Sequence, residues 1–349
     1  MSSDSTVGID DQGTWMSQTV SAASVVNGRS MAGMATAILR GAAQVDFMPS
    51  ALCGAFFFAA LFTAGWQYGL SALLGTAVST LTAYVLQVDG RRIAMGLEGF
   101  NGCLVGVAAT VFLGPQFAST WLLAAAGAVA VSIVTAALVT LLGTWQIPTL
   151  TFPFCIGATA MTLGATEFER LWHGHKGLAR FEQPATGLTA LHWGDLWQSF
   201  FANIAQIFLM PQWYVGLLFL IGIFVASRTA GLVASLGSVV GIATAWLLGS
   251  PAEEVRSGLV GYNSVLVALA LGGALLSLTA WGLAYAMFGA ALSTMVAGAL
   301  SDIFAPFGGH TLTWPFCVTT LVLLLAVPSL PRLQRTVPGT LPTTRSECA

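Results

Sequence analysis

The seven residues Thr149-Leu150-Thr151-Phe152-Pro153-Phe154-Cys155 return, 162 positions later, as Thr311-Leu312-Thr313-Trp314-Pro315-Phe316-Cys317. The same offset aligns Gly96-Leu97-Glu98-Gly99-Phe100-Asn101-Gly102-Cys103-Leu104-Val105 with Gly258-Leu259-Val260-Gly261-Tyr262-Asn263-Ser264-Val265-Leu266-Val267. It also aligns Ala43-Gln44-Val45-Asp46-Phe47-Met48-Pro49 with Ala205-Gln206-Ile207-Phe208-Leu209-Met210-Pro211. Random apolar sequence would match at roughly one position in ten. Here most positions match, and no insertion breaks the register. The chain is an internal duplication, and self-similarity at one offset marks a repeated structural unit.

The residues around these segments fix the solvent. Of 349 residues, 56% are hydrophobic and 7% are charged, and mean hydropathy is +0.81. An ordinary soluble domain carries about 25% charged residues. That composition excludes a soluble single domain, and equally excludes disorder, which needs low hydrophobicity and high charge. A net charge of -2 with no basic cluster argues against nucleic acid as a partner. Cys53, Cys103, Cys155 and Cys317 lie in apolar stretches, where a thiol acts as a small buried hydrophobe. With Cys348 the count is odd and no CxxC spacing occurs, so neither a disulfide framework nor a cysteine metal site is expected.

A membrane crossing takes about 20 apolar residues. Candidate spans fall at 51–69, 70–87, 97–114, 119–143 and 147–164, then at 213–227, 230–249, 257–272, 276–299 and 311–328. Two shorter pieces, 34–47 and 198–209, precede the two groups, and their length suits re-entrant segments. The expected fold is an all-α polytopic membrane protein of ten transmembrane helices in two inverted five-helix repeats, each with a re-entrant half-membrane pore helix. An odd span count per repeat turns the second copy upside down. The expected organisation is a polar N-terminal tail (1–33), a first repeat (34–164), a polar exterior linker (165–197), a second repeat (198–328) and a C-terminal tail (329–349). Placing both termini in the cytoplasm puts Arg29, Arg40, Arg91, Arg92, Arg228, Arg332, Arg335 and Arg345 inside and Arg170, Lys176, Arg180 and Arg256 outside. His173 and His175 in the linker lack a spaced third ligand and read as exterior polar surface rather than a metal site.

The polar residues shared by both halves are neutral: Gln44 and Gln206, Asn101 and Asn263, Thr151 and Thr313. Burying an unpartnered amide or hydroxyl costs about 1–3 kcal/mol in proteins, so a duplicated set needs an explanation. One is helix–helix glue. The other is a path beside the two short helices, lined with donors and acceptors and free of fixed charge, which suits a small neutral polar solute. Aromatic and leucine residues accompany the polar ones: Phe47 and Leu209, Phe100 and Tyr262, Leu104 and Leu266. If they line the same path they form a slot that admits a planar molecule. Asp46, Glu98 and His310 lack a matching partner in the other repeat, so proton or ion coupling has little to build on. Asp46 and Glu98 are expected at a pore mouth or paired with Arg40 or Arg92. No HExxH or GxSxG segment accompanies the spans, and neither an enzyme nor a bound cofactor is expected. A channel for ammonia, formamide or water and an ion-coupled secondary transporter both stay open at this point.

At these residues the chain resembles the urea transporter family. The resemblance is carried by the paired GlxGfN-type segments around Asn101 and Asn263, by the Gln-x-x-Phe end of the first short helix (Gln44 to Phe47), and by the two Thr-x-Pro-Phe segments. It runs from about residue 34 to 328. The family's Leu, Pro and Thr at three-residue spacing become Trp145, Pro148 and Thr151 in the first copy, and Phe307, His310 and Thr313 in the second. Met48, Met210 and Tyr262 also depart from the family pattern. The resemblance implies a homotrimer in a bacterial inner membrane, with one pore per protomer that passes urea down its gradient. It implies Thr151 and Thr313 at the middle constriction and Gln44 and Gln206 at the inner and outer sites. Phe47, Phe100, Leu104, Ile207, Tyr262 and Leu266 would supply the slot walls. His310 would bring a titratable group beside the second threonine stretch.

Overall fold

The computed structural model describes residues 31–172 and 187–336. Among these residues the chain is helical throughout, apart from turns and one extended pairing of Leu276 with Arg335. The first half contains α1 (Met31–Ala43), α2 (Ala51–Ala64), α3 (Trp66–Val85), α4 (Gly90–Ala94), α5 (Phe100–Leu113), α6 (Ala118–Gly143) and α7 (Phe152–Ala165). The second contains α8 (Trp193–Ala205), α9 (Trp213–Ala226), α10 (Arg228–Leu247), α11 (Ala252–Arg256), α12 (Tyr262–Leu269), α13 (Ala280–Phe304) and α14 (Trp314–Ala326). Every helix of the second half starts 162 residues after its counterpart. The duplication therefore reaches the backbone, including its least common conformations. Left-handed residues pair at the same offset: Phe47 (φ 62°) with Leu209 (60°), Gly96 (81°) with Gly258 (79°), and Leu150 (49°) with Leu312 (46°).

A helix fills each of the ten expected span intervals, but among the described residues only α3, α6, α10 and α13 are long and apolar enough to cross a membrane alone. A 14-residue helix such as α2 or α5 reaches about 21 Å, short of a hydrocarbon core of about 30 Å. The shortness has local causes. Each first short helix ends in a one-turn 3₁₀ segment, Gln44–Asp46 or Gln206–Phe208, closed by a left-handed Phe47 or Leu209. Pro49 or Pro211 follows and cannot continue a helix. The chain then turns by 78° into α2 and by 77° into α9. The turn is held by close backbone contact. A Cβ at Gly54 or Gly216 would lie 1.8 Å from the carbonyl oxygen of Leu39 or Phe201, so only glycine fits at either crossing.

The short pieces start earlier than the sequence suggests, at Met31 and at Trp193 rather than 34 and 198. At the second, Asp195 accepts the His192 amide (2.9 Å) and so adds a helix start that hydropathy alone misses. Residues 1–30, 173–186 and 337–349 lie outside the described ones, and with them His173, His175 and the outer parts of both tails. Residues 334–336, expected as free tail, instead bond to residues 275–277: Ser277 N–H donates to the Gln334 carbonyl (2.9 Å) and Thr336 N–H to that of Leu275 (3.0 Å).

The core sits where the halves meet. Phe57 of α2 and Phe219 of α9, counterparts at the repeat offset, pack with ring centroids 4.8 Å apart, and Phe208 joins them at 5.4 Å from Phe57. Aromatic pairs of this kind contribute about 0.5–1.5 kcal/mol beyond their area. α5 buries every side chain from Phe100 to Thr110, and its counterpart α12 does so from Tyr262 to Leu269. The long helices face outward with bare apolar residues such as Leu122, Ile133, Leu247 and Phe288. A surface of that kind is at home in lipid, and the chain is an integral membrane protein.

Candidate functional site

α7 and α14 begin beside each other at the centre of the molecule, each with a threonine at its N-cap position that makes no capping bond and each with a proline in its first turn. A starting helix leaves several N–H groups without helical partners. Here they are all accounted for. Phe152 N–H donates to the Thr149 carbonyl (3.2 Å), Pro153 has none, and Phe154 N–H donates to Asn101 Oδ1 (3.1 Å). The second copy repeats the arrangement with Trp314 to Thr311 (3.3 Å) and Phe316 to Asn263 Oδ1 (3.1 Å). Asn101 and Asn263 thus use their acceptor oxygens to fix the two helix ends, which makes them positioning residues.

With the backbone satisfied, what remains at the centre is side chain. The Thr151 and Thr313 hydroxyls share a hydrogen bond of 2.6 Å. Thr151 Oγ1 lies 3.2 Å from Cys317 Sγ, and Thr313 Oγ1 lies 3.1 Å from Cys155 Sγ. The four groups are two pairs at the repeat offset, crossed over one another. All four side chains are buried. Phe152 and Trp314, the next matched pair, meet edge to face at 5.9 Å.

The two glutamines stand away from this centre in equivalent settings. Gln44 Nε2 donates to the Met95 carbonyl (2.9 Å) and Gln206 Nε2 to that of Ser257 (3.0 Å). Each amide is anchored through its nitrogen, and its oxygen has no protein partner among the described residues. Phe47 is half-buried with its ring edge-on to Phe316 at 6.2 Å. Phe100, Leu104, Tyr262 and Leu266 are buried in the same core cluster. Ile207 is buried at the position matching Val45, whereas half-buried Leu209 is the counterpart of Phe47. The structure therefore gathers the six expected apolar residues into one core cluster and sets the threonines and asparagines at the starts of α7 and α14, while the two glutamines stand apart. Leu209, rather than Ile207, is the counterpart of Phe47.

Sequence reasoning missed Cys155 and Cys317. The offset carried the signal, because both fall inside the duplicated Thr-x-Pro-Phe segments. It also missed the contact of Tyr262, whose hydroxyl donates to the Leu312 carbonyl, where Asn263 Nδ2 arrives too at 3.4 Å. His310 stacks on Phe112 with centroids 3.8 Å apart, a pair replaced by Pro148 and Ala274 in the other half.

The charged residues divide cleanly. Glu98 accepts from Arg92 Nε at 2.7 Å, as the sequence suggests. Asp46 pairs with neither Arg40 nor Arg92 and stands at no mouth. It is fully buried with both oxygens unpartnered, while Arg40 Nη1 donates to the Ala94 carbonyl (2.9 Å).

Comparison with known proteins shows what the chain is similar to. The family described as "Urea transporter" matches residues 35–328. A protein named Urea transporter 1 from Capra hircus is 32% identical over 309 residues, covering 85% of this chain and 78% of its own. The proteins of that name from Ovis aries and Rattus norvegicus are 32% and 31% identical over the same length and coverage.

Proposed function

The chain belongs to the urea transporter family, and from that premise we propose that it passes urea down its gradient through a path of its own between the two repeats. It is a transporter and not an enzyme. Urea is planar and neutral, with one carbonyl acceptor and four N–H donors. A wall that replaces its lost water hydrogen bonds must offer mostly acceptors, and two flat apolar faces must hold the plane. The amide oxygens of Gln44 and Gln206 supply acceptors at the two approaches, and the hydroxyls of Thr151 and Thr313 supply them at the centre. Phe47, Leu209, Phe100, Leu104, Tyr262 and Leu266 provide the flat faces.

The single observation that supports this best is the 2.6 Å contact between the two threonine hydroxyls at the ends of α7 and α14. Both helices present their positive N-terminal ends there, which favours a carbonyl oxygen and disfavours a cation. A solute that passes must exchange the Thr–Thr bond for bonds to itself. A neutral molecule with both donors and acceptors can do so, and a hydrated ion cannot. In this reading α1 and α8 are re-entrant half-helices, the second repeat is inverted, and both termini face the cytoplasm of a bacterial cell. The protomers form a trimer in the inner membrane.

Proteoliposomes test the proposal directly. Stopped-flow uptake of urea, compared with formamide, glycerol and water, is expected to be fast and indifferent to proton and sodium gradients. Urea entry no faster than in empty vesicles, for protein shown to be folded, would remove the reading. One observation supports a second reading, an ion-coupled carrier: the unpartnered carboxyl of Asp46 inside the membrane. Urea concentrated against its gradient by a proton gradient would favour it.

A further inference from the structure

The turn that leads from α6 to Thr151 and the turn that leads from α13 to Thr313 are braced by different means. In the second half His310 stacks flat on Phe112 at the end of α5, with ring centroids 3.8 Å apart. The repeat offset puts Pro148 and Ala274 at those positions in the first-half turn and at the end of the facing helix, so no such stack forms. The first turn is also harder to hold. Gln146 takes a left-handed conformation (φ 55°) where its counterpart is Gly308 (φ 71°), and a residue with a Cβ carries strain there that glycine does not. Behind it α12 stops at Leu269 and widens into the segment Ala270–Ala274, with Gly273 at φ 150°, whereas α5 runs on to Leu113. A helix end leaves carbonyls without helical donors.

Residues 334–336 meet both needs. Thr336 donates through its amide to the Leu275 carbonyl (3.0 Å) and through its hydroxyl to that of Ala274 (3.1 Å), and Ser277 N–H donates to the Gln334 carbonyl (2.9 Å). From this anchored strand Arg335 Nη2 donates to the Leu324 carbonyl near the end of α14, and Nη1 to the Trp145 carbonyl at the head of the first turn (3.1 Å). One guanidinium thus joins the helix that starts at Thr313 to the segment that ends at Thr151. Its planar fork holds two carbonyls at one spacing, which a flexible ammonium does not.

From this geometry we infer that Arg335 is a positioning residue for the central constriction. It sets the turn 145–150 of the first repeat against α14 of the second and so keeps Thr151 in register with Thr313. His310 and Phe112 perform the same task on the other turn. Arg335 acts through backbone, since the carbonyl it holds lies six residues before Thr151. The brace stands on these bonds alone, whereas its effect on the solute rests on the proposed function.

The experiment uses full-length protein with Arg335→Ala and Arg335→Lys. Hydrogen exchange in detergent reads the brace without transport. The amides of Gln146 and Ile147 bond to the Gly143 and Leu142 carbonyls (3.0 and 3.2 Å). They are expected to exchange about tenfold faster in both variants, while the turn 306–312 keeps its protection. Stopped-flow uptake compares urea with the wider N,N′-dimethylurea. A displaced Thr151 is a poorer partner for urea and leaves a wider gap. Urea uptake should therefore slow by about threefold to tenfold, and dimethylurea uptake relative to urea should rise by a similar factor. In a Thr151→Val background Arg335→Ala should add little, because both changes act on one hydroxyl. A residue that merely secures the tail would lower the unfolding temperature, leave the solute ratio alone and add its full effect to Thr151→Val. Arg335→Lys keeps a cation beside the last carbonyls of α14, so it carries the test should the alanine variant fail to fold. Unchanged exchange at Gln146 and Ile147 in the folded variants would overturn the proposal, and so would an unaltered solute ratio. Unaltered protein that passes no urea would refute the transport reading, while the exchange rates would still decide the brace.

Discussion

The two halves agree where backbone meets backbone and part company where side chains fill the space behind it. Gly54 and Gly216 lie against the carbonyls of Leu39 and Phe201 at the same distance, and Asn101 and Asn263 fix the starts of α7 and α14 with the same 3.1 Å bond. Yet Asp46 stands where the second half has Phe208, Gly41 where it has Asn203, and Phe100 where it has Tyr262. In the second half Asn203 Nδ2 donates to Ser238 Oγ (3.0 Å), and that hydroxyl donates to the Phe200 carbonyl (2.8 Å). In the first, Gly41 has no side chain to reach Thr76, the counterpart of Ser238, and the Thr76 hydroxyl donates instead to the Ala72 carbonyl of its own helix (2.6 Å). The lesson is that a duplicated path needs its helix ends and crossings copied, whereas the packing that supports them can drift separately in each copy.

The sharpest break of that comparison comes at the crossings. Gly54→Ala and Gly216→Ala each place a methyl group against a carbonyl that cannot rotate away. Overpacking costs about 1–3 kcal/mol where side chains can yield and more where they cannot. Both variants are expected to lose more than about 3 kcal/mol, read as a fall in thermal unfolding temperature and in monodisperse yield from detergent. The two losses should be alike. If one variant unfolds like the unaltered protein, the bend in that half is held by something other than the crossing.

The centre comes next. Thr151→Val and Thr313→Val keep shape and remove one hydroxyl, leaving the other without its partner. Each is expected to slow urea uptake by about tenfold to a hundredfold, which corresponds to roughly 1–3 kcal/mol at the narrowest point. Unfolding temperature should move little. Equal slowing in both variants supports a shared constriction, and unchanged flux in either one removes that threonine from the path.

Asp46 tests the drifting part. An unpartnered buried carboxyl is costly, so Asp46→Leu is expected to raise stability by about 1–3 kcal/mol, and Phe208→Asp to lower it by a similar amount. The unfolding temperature reports both. Uptake by Asp46→Leu should match the unaltered protein and stay indifferent to a proton gradient. Collapse of its flux would move the carboxyl from packing into transport and support the coupled carrier.

The sequence made some of this legible and hid the rest for physical reasons. Hydropathy and the fixed offset located a helix in each span interval, because both are properties of the chain alone. They overstated helix length, since Phe47, Leu150 and their counterparts break helices by adopting left-handed conformations that their residue types seldom take. The glutamines and threonines stood out as duplicated polar residues in apolar surroundings. The asparagines stood out for the same reason, but only the position of their oxygens over α7 and α14 separates a helix anchor from a solute contact. Cys155 and Cys317 were invisible as a pair because their partners lie in the other repeat, and composition reads such thiols as small hydrophobes.

Tyr262 carries the finest difference between the halves. Leu150 and Leu312 present their carbonyls from the same left-handed turn, yet the donors around them differ. Tyr262 and Asn263 both donate to Leu312, whereas Phe100 has no hydroxyl and Asn101 Nδ2 has no partner. The first half therefore keeps a carbonyl to which no side chain donates among the described residues, and the second half has its own occupied. Urea carries more donors than acceptors, so an open carbonyl is a useful rung and a capped one is not. Tyr262→Phe makes the second half resemble the first. Removing one neutral hydrogen bond costs about 0.5–1.5 kcal/mol of stability and leaves the Leu312 carbonyl only the long 3.4 Å bond from Asn263, so uptake should rise by about twofold to tenfold. Phe100→Tyr is expected to do the reverse. If Tyr262→Phe instead slows uptake while Phe100→Tyr leaves it unchanged, the phenol oxygen is itself a rung, and the halves pass urea by different sets of oxygens.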